Sequence, residues 1–322
     1  MKNGPFKMGF LMDPIDRISP DKDTTFVFMM EAQKRGHEIL YFTPERIYAT
    51  AGTVRAVVIE TQVERGEPHY SLGDSKDVDL AELDAVFFRT DPPFTIDYLF
   101  QTYLLDIASK NTFVTNNPSS VRAANEKLFA LQFHDLTPPH MVTSDAGRIK
   151  DFMIKNGGKI VVKPLDRAGG EGVFAIESGD RNTNAILETS TNFGKTRIIA
   201  QKYIPEVRNG DKRILLLDGE FLGATLRVPA EDENRANIHV GGDCVRYELD
   251  DRDKMIIDRV GPELKKRGLH FVGLDVLGDM LTEINVTSPT GIQEIDRLQN
   301  VALETKVIDF VEHKIFQAAH RS

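Results

Sequence analysis

Short apolar runs at residues 7–12, 38–42, 56–59, 85–88 and 113–115 are separated by helix-like stretches at 24–35 and 95–109. The breaks between them carry stop and start chemistry. The first run ends on Asp13-Pro14, and proline ends a strand because it brings no ladder donor. Asp23 and Gly36 flank the stretch 24–35 as N-cap and C-cap residues. Strands alternating with helices predict a parallel α/β unit. In such sheets ligands gather beyond the carboxyl ends of the strands, which is where Asp13 and Arg89 fall.

A helical stretch at 119–133 leads to Pro138-Pro139, and a second α/β unit follows. It comprises extended segments at 141–142, 159–163, 173–176 and 197–202, with helices at 145–156 and 182–192. A third unit holds two hairpins. One joins 213–217 to 220–227 through Asp218-Gly219, a strong turn dipeptide, and the other joins 271–277 to 281–286 around Gly278-Asp279. Between them lie a polar loop, 229–243, and a helix, 251–267. At the end, Val301, Val307, Ile308, Val311 and Ile315 recur near helical spacing over 301–317. There is no internal repeat and no low-complexity segment.

With 322 residues the chain is long enough for about two domains. A hydrophobic share of 41% beside 28% charged residues is globular composition. Forty Lys and Arg against 49 Asp and Glu leave a net charge of −9, which argues against a general nucleic-acid binder. No apolar run reaches the ~18–20 residues of a spanning helix, and the N-terminus shows no small-residue cleavage site. A soluble cytoplasmic protein without a membrane partner is expected. The single cysteine, Cys244, leaves no internal disulfide and no thiolate metal cluster, and no histidine partner for it is evident.

Candidate chemistry begins at 165–172, Leu-Asp-Arg-Ala-Gly-Gly-Glu-Gly. Gly169, Gly170 and Gly172 permit the backbone conformations and close approaches that a phosphate cradle needs. Neither a Walker loop nor a dinucleotide fingerprint is present. The plainer reading is a flexible hairpin tip, but Lys163 ends the apolar strand just before it, and a lysine there either snorkels to solvent or meets an anion. Lys127 is a second candidate, although by itself it reads as a solvated helix residue. Asp275 lies within Val-Gly-Leu-Asp-Val, where a lone carboxylate is costly, and Glu283 and Asn285 share one face of the next strand. A two-residue turn at 278–279 would pair 275 with 282 and put Asp275 on the wrong face. A three-residue loop, 278–280, instead pairs 275 with 283 and gathers three oxygen ligands suited to Mg²⁺. The plainer reading is a polar ladder on a solvated sheet face. Arg213 and Arg227, on the two strands of the first hairpin with Asp211 just before, form an anion clamp if they converge. Arg235, Asn237, Gly241 and Gly242 sit in the polar loop, which reads either as a closing lid or as plain surface.

These residues together resemble the ATP-grasp superfamily, and within it the prokaryotic glutathione synthetase family. The resemblance runs from Met12-Asp13-Pro14-Ile15 to Gln293-Glu294-Ile295, and it is most specific at Val272-Gly273-Leu274-Asp275 and at 282–290, Thr-Glu-Ile-Asn-Val-Thr-Ser-Pro-Thr. It implies an ATP-grasp α/β fold: an N-terminal parallel α/β domain (1–124), a central α+β lid domain (125–204) and a C-terminal α+β domain (205–322), with ATP between the later two. It further implies that Lys127, Lys163 and the glycine loop contact ATP phosphates. Gln201, Lys202, Tyr203 and Ile204 would serve adenine, and Asp211 the ribose. Asp275, Glu283 and Asn285 would hold Mg²⁺, with Mn²⁺ as the alternative. Arg213 and Arg227 would lie by the reacting carboxylate, with Asp13, Arg89, the lid residues, Ser288 and Thr290 on the substrate side. The implied reaction joins γ-glutamylcysteine to glycine at the expense of ATP, in a homo-oligomer, often a tetramer. The loop departs from the family's Asp-Gly-x-Gly-Gly at Arg167 and Glu171, which bears on how it closes. Two rivals remain: another ATP-grasp carboxylate–amine ligase, and a synapsin-like ATP-binding regulator without turnover.

Overall fold

The computed structural model describes residues 5–229 and 243–320. Arg235, Asn237, Gly241 and Gly242 therefore lie outside the described residues. The first sheet is built from β1 (Lys7–Met12), β2 (Glu38–Phe42), β3 (Ile47–Thr50), β4 (Thr53–Val63), β5 (Tyr70–Asp79), β6 (Ala85–Arg89) and β7 (Phe113–Thr115). Helices α1 (Thr24–Lys34) and α2 (Ile96–Ala108) make its crossovers. Strands β2, β1, β6 and β7 are parallel neighbours. The sheet is nonetheless mixed, because β3, β4 and β5 add antiparallel pairs at one end. The apolar run at 56–59 is only the middle of the long β4. Strand β5, Tyr-Ser-Leu-Gly-Asp-Ser-Lys-Asp-Val-Asp, has no apolar alternation because it is an exposed edge held by its ladder to β4.

Asp23 caps α1, accepting a hydrogen bond from the Phe26 N–H. Burial pushes its carboxyl up to about 6, against the capping bond and nearby Arg89. A carboxyl raised by folding favours the native state below its unfolded value, and that advantage is lost as pH rises through about 6. Asp23→Asn keeps a good cap and removes this titration. Denaturant unfolding should show the wild type losing about 2 kcal/mol more than the variant between pH 4 and pH 7.

Two short helices, α3 (Pro118–Ala123) and α4 (Glu126–Ala130), replace the single helix expected at 119–133. The break lies at Asn125, whose extended backbone and side chain cap α4 through the Lys127 and Leu128 N–H groups. The second sheet, in the order β10-β9-β11-β8, is antiparallel throughout. It consists of β8 (His140–Thr143), β9 (Lys159–Pro164), β10 (Phe174–Glu177) and β11 (Ile198–Lys202), with α5 (Ala146–Lys155) and α6 (Thr183–Ser190) packed on it. Its core of Ile149, Phe152, Ile160, Val162, Leu187 and Ile198 is a cluster of its own.

The third sheet runs β14-β13-β12-β15-β16. Its strands are β12 (Asp211–Leu217), β13 (Glu220–Val228), β14 (Asp243–Arg246), β15 (Phe271–Leu277) and β16 (Met280–Asn285). Helices α7 (Asp251–Arg267), α8 (Ile292–Gln299) and α9 (Leu303–Ala319) complete the fold. Apolar side chains of the first and third sheets merge into shared clusters, so these two form one body beneath the separately packed second sheet. No helix among the described residues is long and apolar enough to cross a membrane.

Candidate active site

Strand alternation on the third sheet sorts its charges. Asp211 and Arg213, two apart on β12, face the site. Lys212 between them turns to the other face, where it binds Asp250 and Asp253 at 2.8 and 2.9 Å and ties α7 to the sheet. Asp211 stands opposite Arg227 on β13, and Arg213 opposite Asp275 on β15. Asp275 in turn stands opposite Glu283 on β16, and Gly273 opposite Asn285. Gly273 makes room here, since a Cβ on it would lie 3.1 Å from the Arg213 guanidinium.

The pairing of 275 with 283 holds, but by a different route from the three-residue loop. The turn is two residues, Gly278-Asp279, and pairs Leu277 with Met280. A bulge then shifts the register between Asp275 and Val276, so Val276 meets Leu281 and Asp275 meets Glu283. The Thr282 hydroxyl donates to the Asp275 carbonyl at 3.0 Å and fixes the bulge.

Above this row the second sheet supplies cations and the glycine loop. Lys163, next to last in β9, reaches Glu283 at 3.3 Å. Lys127 is buried, not solvated as its position in a helix suggests, and its ammonium donates to the Arg167 carbonyl. Gly169, Gly170 and Gly172 all have positive φ, at 63°, 81° and 70°. A Cβ at Gly172 would also press on the Pro164 ring at 3.1 Å, so the loop's course demands glycine.

Between the two sheets runs a cleft with two compartments. One, of about 350 Å³, has apolar walls of Val161, Phe174 and Leu277, with Lys127, Lys163, Gly169, Gly170, Gln201–Ile204 and Asp211 around it. The other, of about 230 Å³, is lined by Arg213, Arg227, Asn285, Ser288 and Thr290. Asp275 and Glu283 line both, and so mark where the compartments meet.

Charge here is balanced by pairing, not by solvent. Burial pushes Asp275 up, but Arg213, at 2.8 Å, and Arg227, at 3.1 Å, outweigh it and hold the carboxyl below its ordinary value. Burial likewise pushes Glu283 up, and Lys127 and Lys163 more than reverse it. Asp211 is the exception: burial and the Asp275 charge carry it to about 7, even though Arg227 bonds it. Among the described residues, three buried polar atoms at this cleft have no hydrogen-bond partner: Gln201 Nε2, Asp211 Oδ1 and Arg227 Nε. Unpaired buried groups cost roughly 1–3 kcal/mol each and mark directions from which a ligand completes the site.

Not every expected residue faces this space. Asp13 lines neither compartment; its carboxylate accepts the Asp91 N–H at 2.8 Å and fixes the Asp91-Pro92-Pro93 turn that does line the second. Arg89 is buried behind the site, donating to the Pro289 carbonyl at 2.8 Å and stacking over Phe28 and Phe271. It braces the segment that carries Ser288 and Thr290. Gly172 shapes the loop without lining either compartment. Cys244 lies opposite Arg227 on β14 with its thiol pushed up by burial, so it is no activated nucleophile. Glu126 escaped notice in the sequence. One of its oxygens accepts from the Val286 and Thr287 N–H groups and the Thr287 hydroxyl, which holds the turn after Asn285. The signal was its place between the cap Asn125 and Lys127.

An antiparallel lid sheet over an antiparallel third sheet, with a glycine loop above paired carboxylates, is the ATP-grasp fold. It is shared across 97% of this chain and all of a solved D-cycloserine synthetase (TM-score 0.67, 15% identity). A D-alanine–D-alanine ligase from Bacillus anthracis shares it over 98% of this chain and all of its own (TM-score 0.57, 14% identity). Family models sharpen the class: residues 6–122 match the prokaryotic glutathione synthetase N-terminal domain, and 126–300 its ATP-grasp domain. Glutathione synthetases of Mesorhizobium japonicum and Brucella melitensis are 43% and 44% identical over 96% and 95% of this chain and 98% of their own lengths. That of Vibrio cholerae is 43% identical over 96% of this chain and 98% of its own. The chain belongs to the prokaryotic glutathione synthetase family.

Proposed function

We propose that the protein is a glutathione synthetase, joining the cysteinyl carboxylate of γ-glutamylcysteine to the amine of glycine with ATP, and that it works in the cytoplasm. The observation that carries this is the two-compartment cleft joined at Asp275 and Glu283. A nucleotide in the apolar compartment directs its terminal phosphate toward an arginine-lined space fit for a carboxylate. Gln201 and the backbone of 201–204 serve adenine, and the unpaired Asp211 oxygen suits a ribose hydroxyl. Lys127 and Lys163 neutralise phosphate charge, and Arg213 and Arg227 orient the acid. Transfer of the γ-phosphoryl group to the carboxylate creates a good leaving group; the amine then attacks the acyl carbon and phosphate departs. Closure of the glycine loop protects the acylphosphate from water.

Mg²⁺, or Mn²⁺, fits the donor set. No group of three Asp, Glu, His or Cys is gathered among the described residues, but Asp275, Glu283 and Asn285 make an all-oxygen set. The Asn285 amide nitrogen donates to the Gly273 carbonyl at 3.3 Å, which leaves its oxygen for the cation. A cation held by these three residues would supply positive charge to neutralise the nucleotide's phosphates.

A homo-oligomer is supported by an apolar stripe on α2: Ile96, Phe100, Tyr103 and Ile107 are exposed at helical spacing. Phe100→Glu should lower the mass measured by sedimentation; an unchanged assembly would remove this face from the interface. The chemistry is tested by ADP release with ATP, Mg²⁺ and γ-glutamylcysteine, with and without glycine.

A further inference from the structure

Arg167 and Glu171 stand four residues apart on the glycine loop, and their side chains form an ion pair with each other. Both line the nucleotide compartment and both line the arginine compartment. Arg167 and Glu171 thus stand at the junction of the two spaces, which Asp275 and Glu283 also line, and among the described residues the guanidinium's ion-pair partner is a carboxylate on its own loop. The pair is half-exposed, at 46% and 66%. An ion pair so exposed contributes little and is easily exchanged. The loop's backbone has a separate anchor, because the Arg167 carbonyl accepts from the Lys127 ammonium. The side chain is therefore free to change partners while its backbone stays over the site.

We propose that Arg167 is a catalytic cation that receives the transferring phosphoryl group, and that Glu171 holds it in reserve until nucleotide enters. The proposal rests on the nucleotide-dependent ligase reading for the identity of its ligand. A terminal phosphate arriving at the junction repels the Glu171 carboxylate and offers the guanidinium a bidentate, doubly charged partner. Charge developing on the phosphoryl oxygens during transfer then meets a fixed cation from the loop side, opposite the strand-borne carboxylates. Adenosine and the α- and β-phosphates would be taken up by the apolar walls, Gln201–Ile204 and Lys163 of the first compartment, so the contact should be specific to the terminal phosphate.

Calorimetric titration of the full chain with ATP and with ADP, each with Mg²⁺ and without acid substrate, tests this on wild type, Arg167→Ala, Arg167→Lys and Glu171→Gln. Arg167→Ala should weaken ATP about tenfold or more and leave ADP within about twofold. Arg167→Lys should recover part of the loss. Glu171→Gln, which frees the guanidinium, should tighten ATP about two- to fivefold. Opposite shifts at the two ends of one ion pair are the signature of exchange. If both variants weaken ATP alike, the pair is only a loop brace and the proposal fails. It fails equally if ATP and ADP shift together in Arg167→Ala, or if neither nucleotide responds. Wild-type ATP binding without glycine-dependent ligation would overturn the ligase reading while leaving this result intact.

Discussion

Glu283→Gln should lower the ligation rate by about 10²–10³-fold while the protein stays folded. Glutamine keeps the size of the side chain and one oxygen, so β16 retains its pairing with β15 and the bulge at Thr282 survives. What is lost is the negative charge that Lys127 and Lys163 converge on. Without it the two lysines lose the carboxylate they converge on, and the oxygen set proposed for the divalent cation loses one of its two carboxylates. Steady-state ligation with saturating substrates, alongside thermal unfolding, separates the two effects. A near-wild-type rate would show that Glu283 does not serve the reaction.

Arg227→Ala should cost about 3–5 kcal/mol of stability as well as activity. Arg227 is buried at the centre of the row, bonded to both Asp211 and Asp275. Its removal leaves Asp275 with Arg213, at 2.8 Å, but Asp211 with no bonded cation among the described residues. Burial already holds Asp211 at about 7, so neutralising it is the cheapest repair. Adding Asp211→Asn to Arg227→Ala should therefore recover part of the lost stability, measured by denaturant unfolding. Equal loss in the single and double variants would mean that packing around the guanidinium, not charge, dominates.

The features legible in the sequence were those fixed by local chemistry. Turn dipeptides located both hairpins, the apolar flanks of Asp275 announced a buried carboxylate that needs partners, and the i, i+2 spacing of Glu283 and Asn285 placed them on one face. Three things were hidden because they depend on partners distant in the chain. Strand β5 is polar and exists through its ladder to β4. The bulge that aligns Asp275 with Glu283 is set by one threonine hydroxyl, and it is indistinguishable in sequence from a longer loop. Arg89 and Asp13 sit at strand ends where ligands favour binding, yet their side chains are spent on Pro289 and Asp91. A strand end predicts proximity to a site, not the direction in which a side chain points. Lys127 erred the other way, since the break at Asn125 turns it from a surface helix position into the cleft.

The most direct test of the central claim is coupled ADP release and product mass from the purified protein with ATP, Mg²⁺, γ-glutamylcysteine and glycine. A glycine-dependent ADP signal matched mole for mole by a tripeptide of glutathione's mass is the predicted result. ADP release that ignores glycine, or tight ATP binding with no ligated product, would contradict it.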